Sequence, residues 1–522
     1  MSKTNSFALI PQTDKKMKKR IKLVPPDGGW GWMVLLGTAL TNIFNQSMLS
    51  LCTFLYGDAL EAMGYATQGA ALVLSTMLFV SNLGGPIAGA VVKLSSPRFV
   101  SVTGAVCCSV GILFSGFSTN IWHLVLTYGI LLGLGLGFIQ NASFVSINGY
   151  FKERKSLAVG LAMAGTGVGQ TLMPHVVRYL LENFGFKGAC LLLAALSLHG
   201  ICGTLLLQPV EWHMKKVEEE VEVDEKMHLL EDSNKDAPKT KDHNANGNVT
   251  FKGTRRATEP TLCSEIGAES PKKSLSQSNK ELQVHSNGKS IEKLNGNYVV
   301  PTPKKTMFRK IYDLFDISLL SSPRFINVIV GTAITVVSIQ NFSMLYPLFL
   351  QKKVFLDKQQ TANCMSAVAL ADIVGRLTLP MFQDKYHIKA RTMLIMTSIW
   401  LIVVRQILAY QTDVYVLLAM SALYGFGRSM VIVARNIAIS DQCRMDQVPS
   451  AVGLGMLSIG IIVPPAGLFL GWIRDYTDSY IICITAQNLF LVVFLAMWIP
   501  DMLYLYYQEK REKRKKIEQA IS

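Results

Sequence analysis

The sequence predicts an all-α membrane protein of twelve transmembrane helices in two six-helix bundles. Three observations predict it. Half of the 522 residues are apolar and only 17% are charged, below the roughly 25% of an ordinary soluble domain. Apolar runs of bilayer length, about 20 residues each, come as six, then a polar stretch, then six. The net charge of +15 gathers largely at the two tails. A soluble enzyme, a small secreted domain, a disordered chain and a nucleic-acid-binding domain all fit this pattern poorly.

The elements follow in order. Residues 1–28 are a polar tail carrying seven Lys or Arg against Asp14 through Pro26. The first apolar run is too long for a signal-peptide core, so no cleavable leader is expected. The first bundle, 29–208, holds runs near 32–56, 69–93, 99–118, 122–147, 156–181 and 188–207. The second, 323–506, holds runs near 324–350, 360–382, 392–411, 414–438, 448–472 and 480–506. Between them, 209–322 is rich in Ser, Asn and Lys, and Glu211 to Ser322 balances 18 basic against 18 acidic residues. Such a segment buries too little apolar surface to fold, and reads as a disordered loop. Residues 507–522 form a second basic tail.

Lys and Arg in short loops set orientation. Lys93, Arg98, Lys152, Arg154, Lys155, Lys385, Lys389 and Arg391 fall on the same side as both tails. That side is expected to be cytosolic, with anionic lipid as its neighbour. Lys352, Lys353 and Lys358 dissent. The nine cysteines are scattered without CxxC or Cys/His spacing, so no metal or cofactor is expected.

Two stretches carry a family signal. Pro25-Pro26-Asp27-Gly28-Gly29-Trp30-Gly31-Trp32 opens the first run. The prolines stop any earlier helix, Asp27 is placed to cap the helix start, and Trp30 and Trp32 suit the headgroup boundary. A second stretch, from Gly149 through Tyr150, Phe151, Arg154 and Gly160 to Gly165, enters the fifth run. Its small residues let that helix approach a neighbour closely. The two resemble the signatures of the monocarboxylate transporter family, solute carrier family 16, of the major facilitator superfamily. That resemblance implies two bundles rocking about a central site near the bilayer midplane. The eighth run ends Gly375-Arg376 to Asp384-Lys385, similar to the superfamily's gating loop with Pro380 in place of its glycine. The corresponding end of the second run has Lys93 where that loop carries an acid, so the inner clamp is expected to be asymmetric.

An ionisable group at bilayer depth costs about 2.5–3.5 kcal/mol on insertion scales and is by default a functional candidate. Asp372 and Arg376 stand four apart on one helix face and can pair. A guanidinium offers a carboxylate a planar fork of donors, and an adjacent Asp balances it when the site is empty. The spacing resembles the family's Asp/Arg pair, for which the resemblance implies carboxylate binding by Arg376 and proton-linked switching by Asp372. Arg428 in the tenth run is expected as a second anion contact or as a partner for Asp372. Arg405 lies toward the outer third of the ninth run, and His175 and His199 read as packing residues.

One position departs from the family. Proton-coupled members carry a Lys 23 residues after the motif Asp, where this sequence has Ser50. The expectation is therefore a multi-pass plasma-membrane transporter of a monocarboxylate or related carboxylate-bearing solute, without obligatory proton coupling. Two alternatives stand: a facilitator of amino acids, carnitine or creatine, and a transporter-like receptor or scaffold. The resemblance implies as partners the small carboxylate substrate, protons, the bilayer and a single-span glycoprotein chaperone. Nucleic acid is not expected.

Overall fold

A computed structural model of the chain describes residues 17–52, 55–56, 60–61, 63–64, 66–222 and 307–521. Chain contacts divide it into two units. One, Arg20–Glu219 with Lys305–Ser522, holds all the described helices. Of the other, Met1–Lys19 with Glu220–Lys304, only the ends of a two-stranded sheet are described. That sheet pairs β1 (Met17–Val24) with β2 (Lys215–Glu222).

The first half begins with α1 (Trp30–Phe44), α2 (Ala66–Leu94) and α3 (Pro97–Ser115). Ser96 caps α3 by accepting from the Phe99 amide at 3.2 Å, and Pro97 occupies the first helical position, where its missing N–H costs nothing. α4 runs from Ile121 to Tyr150, with π-type turns over Val125–Leu132. Lys155–Leu205 is helical for 51 residues, about 77 Å at 1.5 Å per residue and more than twice a hydrocarbon core. Gly185 resolves this: at φ 65 and ψ −179 it leaves the helical region, in a conformation glycine tolerates. The stretch is therefore two crossings, α5 (155–184) and α6 (186–205).

The second half comprises α7 (Pro323–Lys352), α8 (Lys358–Lys385), α9 (Ala390–Leu408), α10 (Val414–Ser440), α11 (Val448–Thr477) and α12 (Tyr480–Ile521). Asp357 and Asp413 cap α8 and α10, accepting from Gln360 at 2.6 Å and Tyr415 at 2.8 Å. Among the described residues, twelve long helices in two sets of six thus match the architecture expected from the sequence.

Three details differ from it. The first apolar run is not one helix, since α1 ends at Phe44 and a 3₁₀ turn follows over Gln46–Ser50. Polar side chains there bond outward: Ser197 donates to Asn45 Oδ1 at 2.5 Å, and Gln46 Nε2 donates to the Leu136 carbonyl at 3.1 Å. Second, α12 continues through the second basic tail to Ile521. Third, the polar segment between the halves carries β2 at one end and a short helix, Met307–Leu314, at the other. Residues 223–306, the middle of the segment expected to be a disordered loop, lie outside the described residues.

The halves meet along two seams, α2 with α11 and α5 with α8. Glycines set the first. A Cβ on Gly453 would sit 2.6 Å from the Gly85 carbonyl oxygen, and a Cβ on Gly89 would strike the backbone of Pro449. The seam closes at one end only. From Val448 to Gly460 nearly every residue of α11 is buried, but beyond Gly460 only Leu470 is. Val34, Leu35, Phe144, Ile147 and Tyr150 share one core cluster with the second half. Met48, Leu51, Tyr128, Met173 and Val177, toward the other end of the first half, form a separate cluster of their own. The halves are packed at the end bearing the basic loops and parted at the opposite end.

Candidate substrate site

The site is built from the middle of α8 and α10. Asp372 lies 14 residues into α8, about 21 Å along it, and is 2% exposed. Its Oδ2 stands 2.6 Å from Arg376 Nη2, and its Oδ1 accepts from Arg428 Nε at 3.3 Å. Arg428 also donates to Ser343 on α7 at 3.2 Å. Both carboxylate oxygens are therefore engaged, each by a different guanidinium. One carboxylate between two guanidiniums leaves the cluster with one excess positive charge.

The two arginines are not equivalent. Arg376 is 3% exposed and crosses to the first half, where its Nη1 donates to the Met163 carbonyl of α5 at 2.6 Å. The Arg428 side chain is 19% exposed, against 4% for that of Arg376. Arg428 thus stands as a partner of Asp372 and as the more accessible cation.

Behind the pair sits Arg405, which the sequence placed toward the outer third of the ninth run without assigning it a role. It is 0% exposed, donates to Ser338 at 2.6 Å, and lies 4.5 and 5.1 Å from the ring centres of Phe342 and Tyr424. No carboxylate lies within ion-pair distance of it among the described residues. Cation–π contact of this kind contributes about 2 kcal/mol or more when desolvated. Ser338, Phe342 and Ser343 come from α7 and Tyr424 from α10, so no spacing within one run announced them. Neither histidine reaches the cluster: His199 bonds back to its own helix at the Ala195 carbonyl.

The family-motif residues hold the closed end together. Asp27 does not cap α1. Its side chain accepts from the amides of Lys152 and Glu153 at 2.6 and 2.9 Å, and its own amide donates to the Tyr150 carbonyl at 3.1 Å. Gly29, at φ 57, holds the N-cap position of α1 without a side-chain cap, and positive φ at Asp27, Gly28 and Gly29 in succession carries Asp27 away from the helix start. Trp30 donates to the Leu206 carbonyl at 3.3 Å and stacks on His213, while Trp32 packs edge-on against Phe151. A side chain on Gly31 would press on Phe151, and Tyr150 donates to the Gln208 carbonyl at 3.2 Å. Arg154 is exposed at the start of α5. Gly165 lets α5 approach within contact of Ala39, and Gly160 faces the Arg376 carbonyl and Pro380.

Asp384 reaches across the seam, its Oδ2 accepting from the Leu157 amide in the first turn of α5 at 2.8 Å. A carboxylate there satisfies an orphan amide and favours the positive helix end. Lys155 adds bonds to Ser440 at 2.6 Å and Asp441 at 3.1 Å. Lys93, in place of the expected acid, pairs with Asp316. Lys385 takes no part in these ties; it is exposed, over the Tyr386 ring of its own helix end. Ser50 ends the 3₁₀ turn, and its side chain lies outside the described residues.

Comparison with known proteins fits this architecture. The family model of the Major Facilitator Superfamily matches residues 34–264 and 328–521. The chain belongs to the Major Facilitator Superfamily. This is a family of transporters, not enzymes. Its resemblance to the monocarboxylate transporters is met by curated relatives. Monocarboxylate transporter 2 of Mus musculus is 34% identical over 187 residues, covering 36% of this chain and 39% of the relative. Monocarboxylate transporter 11 of Homo sapiens is 35% identical over 184 residues, covering 35% and 39%. The chain thus spans about two-fifths of the length of these relatives. Among solved structures, the human organic anion transporter MFSD10 aligns with a TM-score of 0.57 at 13% identity, covering 91% of this chain and all of that one. The E. coli fucose:proton symporter FucP gives 0.54 at 12%, covering 90% and 97%. At such identities these two speak for the fold alone.

Proposed function

We propose that this protein moves a monocarboxylate, or a related small carboxylate-bearing solute, across the plasma membrane by alternating access. The observation that carries the reading is the Arg376–Asp372–Arg428 cluster, with one positive charge in excess at mid-helix depth. An anion offsets that excess, whereas an amino acid, carnitine or creatine brings its own cation to a site already positive. The charge balance therefore favours the anion over the zwitterionic alternative.

The basic end is cytosolic in this reading, so both tails face the cytosol and the parted end opens outward. Substrate enters there and docks on Arg428, the accessible cation. It then competes for Arg376, whose guanidinium holds both Asp372 and the Met163 carbonyl. Exchanging Met163 for substrate removes a tie between α8 and α5 at the seam that must open next. Binding energy is thereby spent on the conformational change, as alternating access requires. Asp372 balances Arg428 when the site is empty. Ser50, in place of the lysine of proton-coupled relatives, supports transport without an obligatory proton.

Uptake of labelled solutes into expressing cells, at two external pH values, tests this. Saturable carboxylate uptake that is indifferent to an imposed pH gradient is expected. Strong acceleration by external acid would refute the uncoupled mode alone. Competition by zwitterions but not carboxylates would favour the amino-acid, carnitine or creatine alternative. Surface-expressed protein with no flux for any solute would favour a receptor or scaffold. Co-expression of a single-span glycoprotein should raise surface delivery if a chaperone is needed.

A further inference from the structure

The two seams between the halves close on different chemistry at the basic end. On the α5–α8 side the acid belongs to the helix itself: Asp384, in the last turn of α8, accepts from the Leu157 amide. The matching place in the last turn of α2 is held by Lys93, a cation that can offer a helix start nothing. Lys93 pairs instead with Asp316, which lies in the connector that enters α7 at Pro323. Local structure fixes that carboxylate. The short helix Met307–Leu314 ends before Asp316, and a 3₁₀ turn follows over Ile317–Ser321. Between them Asp316 stands at φ 46 and ψ 45, left-handed backbone that Asp tolerates better than most residues. Its carbonyl accepts from the Leu319 amide at 2.9 Å, which holds the turn. Both members of the pair are largely shielded, with side chains 19% and 14% exposed. Shielding from water strengthens an ion pair beyond the fully exposed kind.

The connector is otherwise fastened to the second half. Ser450, in the first turn of α11, donates to the Leu314 carbonyl at 3.4 Å. Leu319 packs on the core cluster that contains Phe325 and Val448. Asp316, Lys155 and Asp441 all act electrostatically on Cys443, so the Lys93–Asp316 pair stands beside the Lys155–Asp441 tie. Among these contacts, Lys93–Asp316 is the one that joins the connector to the first half. It also sits over the α2–α11 seam. Gly89, one turn before Lys93 on the same face of α2, lies against the Pro449 backbone. Parting α2 from α11 while the connector stays with the second half must break the pair.

We propose that residues 307–322 form a latch on the α2–α11 seam, with Asp316 supplying the acid that α2 lacks. The α5–α8 seam locks helix to helix, whereas the α2–α11 seam locks through the chain that links the halves. Opening of the basic end therefore requires the connector to release Lys93. A pull on the connector unlocks one seam and leaves the Asp384 tie in place. The latch does not depend on which solute is carried, and its test reads no flux, so its failure leaves the transport reading untouched.

The test is amide hydrogen exchange, read by mass spectrometry, on the purified full-length protein in lipid nanodiscs. Lys93→Met, Asp316→Asn and the double variant are compared with wild type; Asn keeps the left-handed turn at 316. Ser450 and Ala451 are buried in the first turn of α11. Amides so placed lack intrahelical partners, so their exchange reads water entering the seam. Each single variant should speed that exchange about fivefold, the effect of one partly shielded ion pair. The double variant should match the singles rather than multiply them, because the same interaction is removed once. Amides between Leu394 and Leu401, in the core of α9, should keep their wild-type rates. No acceleration in either single variant would overturn the latch. Multiplied effects in the double variant would overturn the pairing of the two residues. Equal acceleration in α9 would mark general loosening and overturn the assignment to the seam.

Discussion

The two halves share a six-helix plan but differ in what they bury at mid-depth. In the first half the buried polar groups are neutral. Asn42 donates to the Ala162 carbonyl at 2.8 Å, Asn45 and Ser197 bond to each other, and Asn141 donates to Gly85 and Pro449 at 3.3 and 3.2 Å. The second half buries Asp372, Arg376 and Arg405 instead. Neutral amides satisfied by backbone carbonyls cost little to move as a body, whereas charges must stay paired or find a ligand. On the proposed transport reading, the contrast becomes a division of labour, with the first half as the close-packed rocking partner and the second as the bearer of substrate chemistry.

Arg376→Ala should expose that division most strongly. It strands Asp372 beside a single cation, and removing one partner of a buried pair costs about 3–5 kcal/mol. Uptake should fall more than about 100-fold while surface biotinylation stays at the wild-type level. Retained uptake would move the substrate chemistry elsewhere. Next in size is Gly160→Leu, which places a side chain against the Arg376 carbonyl and Pro380 where α5 crosses α8. Uptake should drop at least about tenfold, since overpacking a tight crossing costs about 1–3 kcal/mol. The expected signature is a fall in maximal rate rather than in apparent affinity.

Asp384→Asn probes the ties across the seam. It weakens the charge on the Leu157 amide by about 1 kcal/mol, so the closed end should open several-fold more often. Cys443, in the loop after α10, reports this, because burial pushes its thiol up to about 12. Opening rehydrates the thiol and lowers its pKa toward the ordinary range, so maleimide labelling from the side bearing the basic loops should quicken. Unchanged labelling would show that Asp384 does not hold the seam. The smallest effect belongs to the first half. Asn42→Ala should lower stability by about 1 kcal/mol with uptake largely kept. If it instead abolished uptake as Arg376→Ala does, the division between the halves would fail.

Much of the fold was legible because bilayer length imposes a period on apolar sequence that needs no tertiary knowledge. The Asp372–Arg376 pair was legible for a similar reason, since i and i+4 on a helix meet by geometry. Asp27 was misread as a helix cap because its hydrogen-bond partners, Lys152 and Glu153, lie more than a hundred residues away. The 3₁₀ turn after α1 escaped too, being set by Ser197 and Leu136 on other helices. Arg405 was visible as a charge but not as a cage, because Phe342 and Tyr424 reach it from two other helices.

The sequence by itself determined twelve crossings, the placing of positive charge on one face, and the presence of an acid and two arginines at depth. Each follows from local rules: the cost of charge in hydrocarbon, the length of a helical crossing, and the excess of Lys and Arg in loops on one side. Only the tertiary structure decided that one carboxylate serves two guanidiniums, that Arg376 alone of the pair grips the opposite half, and that the basic end is the one closed. Those facts depend on which faces of α5, α8 and α10 meet, a matter of packing between helices far apart in the chain.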